Sequence, residues 1–181
     1  MSKARVLIVE DQLIVAEDLA KLMEESGHEV IGICETGEEA VKTTYQASPD
    51  LVMVDIQLRG AIDGIEAVQQ IRTQQDPAIV YLTAHSEKGL FERAKQTEPD
   101  GYLYKPVSPL ELTRTVEIVL FKKKMETRLR ESEEKYRELV ETISDGIVQT
   151  DTVGTVTFAN PAYCRMLGFT IEEIIGKSIL D

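Results

Sequence analysis

The feature that most constrains the fold is a regular alternation of short apolar runs with longer amphipathic segments over residues 3–121. Five runs stand out, at 6–9, 30–33, 51–54, 78–82 and 102–104. Most of them are continuously apolar, as expected for parallel strands that are covered on both faces. The segments between the runs carry apolar residues at helical spacing. The alternation therefore predicts an α/β fold in which five strand–helix units, (βα)5, build a doubly wound parallel sheet.

Polar residues stand where the predicted strands end. Five-stranded sheets of this class most often have the order 2-1-3-4-5, and their ligands bind beyond the carboxyl ends of the strands. Glu10 and Asp11 follow the first strand, and Asp55 ends the third. Thr83 ends the fourth strand, and Lys105 follows the fifth. The predicted topology therefore brings three carboxylates, a hydroxyl and an ammonium group to one edge of the sheet.

This set of groups favours a metal-assisted phosphoryl site. Three carboxylates brought together repel each other and are desolvated, so they require a cation. The ligands are oxygens without His or Cys, which favours a hard divalent ion, usually Mg²⁺. A carboxylate beside such an ion can attack phosphorus and form an aspartyl phosphate. The Lys105 ammonium and the Thr83 hydroxyl would then stabilise the new phosphoryl oxygens.

The order of these residues resembles the receiver domain of two-component response regulators. The matching motifs are Glu10-Asp11, Asp55, Thr83-Ala84 and Gly101-Tyr102-Leu103-Tyr104-Lys105-Pro106. The resemblance covers about residues 3–121 and implies a flavodoxin-like receiver fold. It also implies that Asp55 is the phosphoacceptor and that Asp11 and Asp55 bind Mg²⁺ directly. Glu10 would assist through water, and the backbone carbonyl of Gln57 would be a further ligand.

The same resemblance implies roles for the residues around the phosphoacceptor. Lys105 would pair with the phosphoryl group, and its peptide bond to Pro106 is a candidate for the cis form. Thr83 and Tyr102 match the family's switch pair. Gln57 and His85 occupy positions that the family uses to tune the lifetime of the phosphoryl group. The receiver would then be no enzyme beyond catalysing its own phosphorylation and dephosphorylation.

The last receiver helix is predicted to continue past the receiver, because no Gly or Pro interrupts the segment from Leu110 to Ser144. From Ile118 a heptad pattern with 4-3 spacing runs through Lys122, Met125, Leu129, Ser132, Tyr136, Leu139 and Ile143. A mostly apolar seam flanked by Arg and Glu predicts a parallel homodimeric coiled coil over residues 118–143. The polar residues Lys122 and Ser132 leave a single solvated helix with internal ion pairs as the alternative.

Residues 132–181 resemble the N-terminal part of a PAS sensor domain. Two short strands, at 147–150 and 155–158, are followed by Ala159-Asn160-Pro161-Ala162-Tyr163, which opens a helix. The resemblance covers less than half of such a domain, so it implies no ligand for the segment. The sequence therefore predicts a receiver domain at 1–121, a helical coiled-coil linker at 122–143 and an incomplete, α+β PAS-like segment at 144–181.

Composition excludes several other classes of protein. The net charge of -12 argues against binding to nucleic acid, which requires clustered Lys and Arg. No apolar run approaches the roughly 18 residues that a membrane span requires. Cys34 and Cys164 lack metal-ligand spacing and indicate reduced thiols in a cytoplasmic protein.

The expected function is a phosphorylation-controlled signalling protein of a two-component phosphorelay. Its partner would be a histidine kinase or a phosphotransfer protein, and phosphorylation would switch protein contacts or dimer geometry. The alternative is an N-terminal fragment of a larger receiver–PAS hybrid sensor histidine kinase or of another output enzyme. The sequence contains no helix-turn-helix, no kinase nucleotide-binding motif and no phosphoacceptor His segment.

Overall fold

The computed structural model describes residues 3–84 and 88–179, and it divides the chain into two compact units, Met1–Lys124 and Met125–Asp181. His85, which the sequence singled out for tuning the phosphoryl lifetime, lies outside the described residues. Within the described ranges, no helix is both long enough and apolar enough to cross a membrane.

The first unit alternates strands and helices in the way the apolar runs predict. Its strands are β1 (Arg5–Val9), β2 (Glu29–Cys34), β3 (Leu51–Asp55), β4 (Ala78–Thr83) and β5 (Gly101–Tyr104). Its helices are α1 (Leu13–Glu25), α2 (Gly37–Ala47), α3 (Gly64–Arg72), α4 (Lys88–Lys95) and the first part of α5 (Pro109–Thr142). The strands are parallel and ordered β2-β1-β3-β4-β5, which confirms the predicted doubly wound sheet.

Both faces of the five-stranded sheet are buried. Consecutive residues of a strand point to opposite faces, so the neighbours of each set show what covers that face. On β1, Val6 and Ile8 pack into a cluster with residues of α1 and α5. Leu7 and Val9 pack into a second cluster with residues of α2, α3 and α4. Helices on both faces therefore explain why the strands are continuously apolar rather than alternating.

Helix α3 begins directly against the end of β3. Asp63 and Glu66 form a capping box, in which each carboxylate accepts the backbone N–H of the other residue, at 2.8 and 3.0 Å. The next residue, Gly64, approaches β3 so closely that a Cβ would lie 1.9 Å from the carbonyl oxygen of Asp55. Only glycine fits there without a shift of the backbone, so Gly64 determines how closely α3 approaches Asp55 at the end of β3.

The second unit contains a small antiparallel strand pair and two short helices. The elements after α5 are β6 (Val148–Thr150), β7 (Val156–Ala159), α6 (Pro161–Leu167) and α7 (Ile171–Ile174). Val156, Ala159, Cys164 and Ile174 form its buried apolar cluster. The order of strands and helices follows the pattern that the sequence predicts for this segment.

The buried Asn160 side chain joins the end of α5 to the strand pair and to α6. Its amide nitrogen donates to the carbonyl oxygens of Val140, at 3.1 Å, and Asp145, at 3.0 Å. Its Oδ1 accepts the backbone N–H groups of Ile147 and Tyr163, both at 2.9 Å. These four hydrogen bonds satisfy a fully buried amide, so the residue stabilises the unit rather than destabilising it.

Replacing Gly64 with Ala is expected to lower the free energy of unfolding by about 3 kcal/mol, because the added methyl overlaps the backbone of β3. Urea denaturation of the full chain would measure the change. Gly89→Ala in α4 is the matched control, since a Cβ there meets nothing within 4 Å and glycine is unfavourable in helices. Equal stability of Gly64→Ala and the wild-type protein would contradict this account of the close approach.

Candidate functional site

Three carboxylates meet at the carboxyl edge of the sheet, where β1 and β3 end side by side. Glu10, Asp11 and Asp55 each offer one oxygen, and these three oxygens lie within 4.8 Å of one another. Val9 pairs with Val54 in the parallel ladder, which places the following residues of the two strands next to each other. Glu10 and Asp55 are buried, and Asp11 is partly exposed.

Lys105 reaches this cluster from the end of β5. Its Nζ lies 2.5 Å from Glu10 Oε2 and 2.6 Å from Asp55 Oδ2. The side chain is largely buried, and the peptide bond between Lys105 and Pro106 is cis. One ammonium group therefore bridges two carboxylates that lie on neighbouring strands.

Burial and the contact between opposite charges shift the pKa values of Glu10 and Lys105 in opposite directions. Burial raises the pKa of Glu10 above its usual value, and the hydrogen bond and charge of Lys105 offset only part of that rise. Burial by itself would lower the pKa of Lys105, but the hydrogen bonds to Asp55 and Glu10, together with the charges of these two carboxylates, outweigh this effect and leave the pKa raised. Lys105 therefore stays charged, and burial disfavours the ionised form of Glu10 despite the contact with Lys105.

The donor set fits a divalent cation. When ionised, the three carboxylates and Lys105 carry a net charge of about minus two, which a single divalent ion would offset. All of the clustered donors are carboxylate oxygens, the ligands that Mg²⁺ prefers. The residues that could hold such an ion are therefore Glu10, Asp11 and Asp55.

Gln57 and Thr83 lie at the ends of the neighbouring strands and make mainly local contacts. The backbone N–H of Gln57 donates to Asp55 Oδ1 at 3.2 Å, and the side chain of Gln57 is exposed. Thr83 is buried at the end of β4, and its hydroxyl donates to the carbonyl oxygen of Ala84 at 3.3 Å. The two oxygens of Asp55 are thus held separately, Oδ1 by Gln57 and Oδ2 by Lys105.

Tyr102 packs among aromatic rings on β5. Its ring centroid lies 4.8 Å from that of Phe91 and 6.0 Å from that of Tyr81. The Tyr102 hydroxyl is buried without a hydrogen-bond partner in the described part of the chain, and burial raises the pKa of Tyr102. The neighbouring Tyr81 hydroxyl, in contrast, forms a hydrogen bond of 3.0 Å with Thr97.

A charged residue that sequence reasoning missed also contacts the site. Arg59 lies in the loop between β3 and α3, and its Nε is 3.0 Å from Asp11 Oδ2. Its position in the loop after the acidic strand end was the only signal in the sequence. An arginine in a loop is ordinarily a solvated residue, so that signal did not distinguish it.

Two family models match this chain, one in each of its two units. Residues 6–117 match the model of the response regulator receiver domain, and residues 134–181 match that of the PAS fold. The transcriptional regulatory protein PdtaR of Mycobacterium tuberculosis is 38% identical over 116 residues, which cover 64% of this chain and 56% of PdtaR. The chain spans about half the length of the curated relatives it matches.

Two solved structures resemble the first unit. The signal receiver domain of a modulated diguanylate cyclase from Desulfovibrio desulfuricans G20 has a TM-score of 0.66 and 38% identity, covering 69% of this chain and 99% of that one. The N-terminal domain of a response regulator/sensory box/GGDEF 3-domain protein from Carboxydothermus hydrogenoformans has a TM-score of 0.63 and 31% identity, covering 68% and 98%.

The receiver match extends over well more than half of the 181 residues. The observed strand order is the one expected for that fold. The chain therefore belongs to the response regulator receiver family of two-component signalling, and its receiver is followed by a segment that matches the PAS fold.

Proposed function

We propose that Asp55 accepts a phosphoryl group from a histidine kinase or a phosphotransfer protein, and that this modification controls the protein contacts of the chain. The observation that carries the proposal is the bridge from Lys105 to Glu10 and Asp55, at 2.5 and 2.6 Å. It holds a fixed positive charge against the carboxylate that would be modified. Membership of the receiver family supports the same role.

The proposed reaction is an in-line displacement on phosphorus. An Asp55 carboxylate oxygen forms the new O–P bond, while the bond from phosphorus to the donor's imidazole nitrogen breaks and the nitrogen keeps its electron pair. Contacts to Gln57 and Lys105 orient the Asp55 carboxylate before the reaction. Lys105 then pairs with a phosphoryl oxygen through a charge-assisted hydrogen bond.

The remaining site residues act on charge and lifetime in this proposal. Bound Mg²⁺ would offset the negative charge of the phosphoryl oxygens. Asp11 and Asp55 would be its direct ligands, together with the backbone carbonyl of Gln57, and Glu10 would act through water. Gln57 and His85 would tune the lifetime of the phosphoryl group.

Tyr102 supports a switch role because of its unsatisfied hydroxyl. A buried hydroxyl without a partner is unfavourable, so a second conformation that hydrates it or bonds it lies within reach. We propose that phosphorylation draws the Thr83 hydroxyl toward the phosphoryl group and that Tyr102 then changes its packing against Phe91. Helix α4, which carries Phe91, would transmit the change.

The proposed output is a change in the contacts of a homodimer formed through residues 118–143. Leu129, Tyr136 and Leu139 are 62%, 70% and 54% exposed, and all three lie on the predicted heptad seam. In a two-stranded coiled coil these side chains would be buried between the helices. The proposed boundaries are a receiver at 1–121, the helical linker at 122–143 and the PAS-like segment at 144–181.

A second candidate is control of an output enzyme within a longer protein. Two similar structures come from a modulated diguanylate cyclase and from a response regulator/sensory box/GGDEF 3-domain protein. The first favours an enzymatic output, and the second favours further domains joined to a receiver in the same chain. Reading the codons that follow residue 181 in the gene would test this candidate, since a further in-frame domain is expected only under it.

Replacing Asp55 with Asn is expected to abolish the Mg²⁺-dependent incorporation of phosphate from acetyl phosphate, because an amide is neither a nucleophile nor an anion. Intact-protein mass spectrometry would measure the incorporation. Asp18→Asn is the matched control, since it removes the same charge from an exposed position on α1. Incorporation by the Asp55 variant at the wild-type level would place the phosphoacceptor elsewhere.

Replacing Tyr102 with Phe is expected to leave the unphosphorylated protein as stable as the wild type, or more stable by up to about 1 kcal/mol, because it removes a buried hydroxyl that has no partner. Tyr81→Phe should lose about 1 kcal/mol, because its hydroxyl is bonded to Thr97. Denaturant unfolding compares the two. If both variants are destabilised equally, the Tyr102 hydroxyl is satisfied and the basis for its switch role is lost.

Replacing both Leu129 and Leu139 with Asp is expected to convert a dimer into monomers, because charges would lie on the apolar seam. Sedimentation velocity at high micromolar concentration measures the change. The matched control replaces Arg130 and Arg137, which are exposed and off the seam, with Asp. A wild-type protein that is already monomeric at that concentration would favour the single solvated helix.

A further inference from the structure

We propose that Arg59 is a built-in competitor for the divalent cation at Asp11, so that this arginine sets the cation concentration at which the receiver becomes competent. The inference rests on the proposed function, because that function assigns the acidic edge to Mg²⁺. It concerns a residue outside the set that the sequence predicted for the site.

The contact itself joins an exposed cation to a sheltered anion. Arg59 Nε lies 3.0 Å from Asp11 Oδ2, and the two side chains are 82% and 12% exposed. Asp11 is the carboxylate of the cluster that Lys105 does not contact among the described hydrogen bonds and ion pairs. Arg59 therefore places positive charge on the one carboxylate of the cluster to which Lys105 makes no described contact.

The loop that carries Arg59 is held in place, so the contact does not depend on the arginine side chain alone. The Arg59 backbone pairs with Thr36 in an isolated parallel bridge. The backbone N–H of Ala61 donates to Glu38 Oε1 at 2.8 Å. Between these contacts Gly60 has a φ of +130°, and a Cβ there would lie 2.8 Å from Glu38 Oε2. The loop from β3 to α3 is therefore fixed against the start of α2, with Arg59 in reach of Asp11.

Charge decides the direction of the effect. The three carboxylates together with Lys105 and Arg59 carry a net charge of about minus one, and a divalent ion would make this cluster positive. Without Arg59 the same ion would bring the cluster close to neutrality. Because the guanidinium is exposed, it can move into solvent at little cost, so the competition is modest and weakens with salt.

The test is a Mg²⁺ titration of the full, unphosphorylated chain. Calorimetry and the amide NMR signals of Glu10 and Gln57 measure the binding. Arg59→Gln is expected to lower the Mg²⁺ dissociation constant roughly two- to fivefold at low ionic strength, and the difference should shrink at high salt. Arg59→Lys keeps the charge and should remain close to the wild type. Arg93→Gln is the matched control, since it removes the same charge from an ion pair of 3.0 Å with Asp63.

A dissociation constant for Arg59→Gln that equals or exceeds the wild-type value would overturn the inference, as would an equal decrease in Arg93→Gln. The absence of Mg²⁺ binding in all of these variants would overturn it as well. The proposed function has a separate test, which is the loss of phosphate incorporation in Asp55→Asn. Incorporation that depends on Asp55, with no effect of Arg59 on Mg²⁺ affinity, would leave the proposed function standing without this inference.

Discussion

The concentration of negative charge where β1 and β3 end is the constraint on which the rest of the first unit depends. Two of the three carboxylates are buried, and burial of unpaired charge is among the most expensive arrangements in a protein. Lys105 limits that cost by bridging Glu10 and Asp55. Because the bridge spans from β5 to β1 and β3, it also links the outer strand of the sheet to its centre. The same contact thus serves the stability of the sheet and the reactivity proposed for its edge.

The fold and the central site residues could be predicted because each had a strong local signal. Continuous apolar runs identify buried parallel strands, and the order of a doubly wound sheet then places the strand ends of Glu10, Asp55 and Lys105 together. The position of Arg59 could not be predicted in this way. Its place depends on the pairing of its loop with Thr36, a contact between segments that no sequence period records.

The second unit shows a similar division between what the pattern reveals and what depends on packing. The unbroken helix past the receiver follows from the absence of Gly and Pro, and α5 extends to Thr142. The burial of Val140, one residue beyond the seam position Leu139, was not predicted, because it accompanies the hydrogen bond from Asn160 to the Val140 carbonyl. A side-chain amide that satisfies backbone groups on three segments has no periodic signature, so it becomes visible only in three dimensions.

The contact of Gly64 with Asp55 has a consequence for protein engineering. Gly64 at the start of helix α3 packs against the main-chain oxygen of Asp55, so this contact does not depend on which side chain stands at residue 55. A cysteine for chemical labelling, or a stable phosphonate analogue introduced by codon expansion, could therefore replace Asp55 without changing the contact between α3 and the backbone of residue 55. The receiver is on this account a suitable carrier for permanently charged mimics of the modified state.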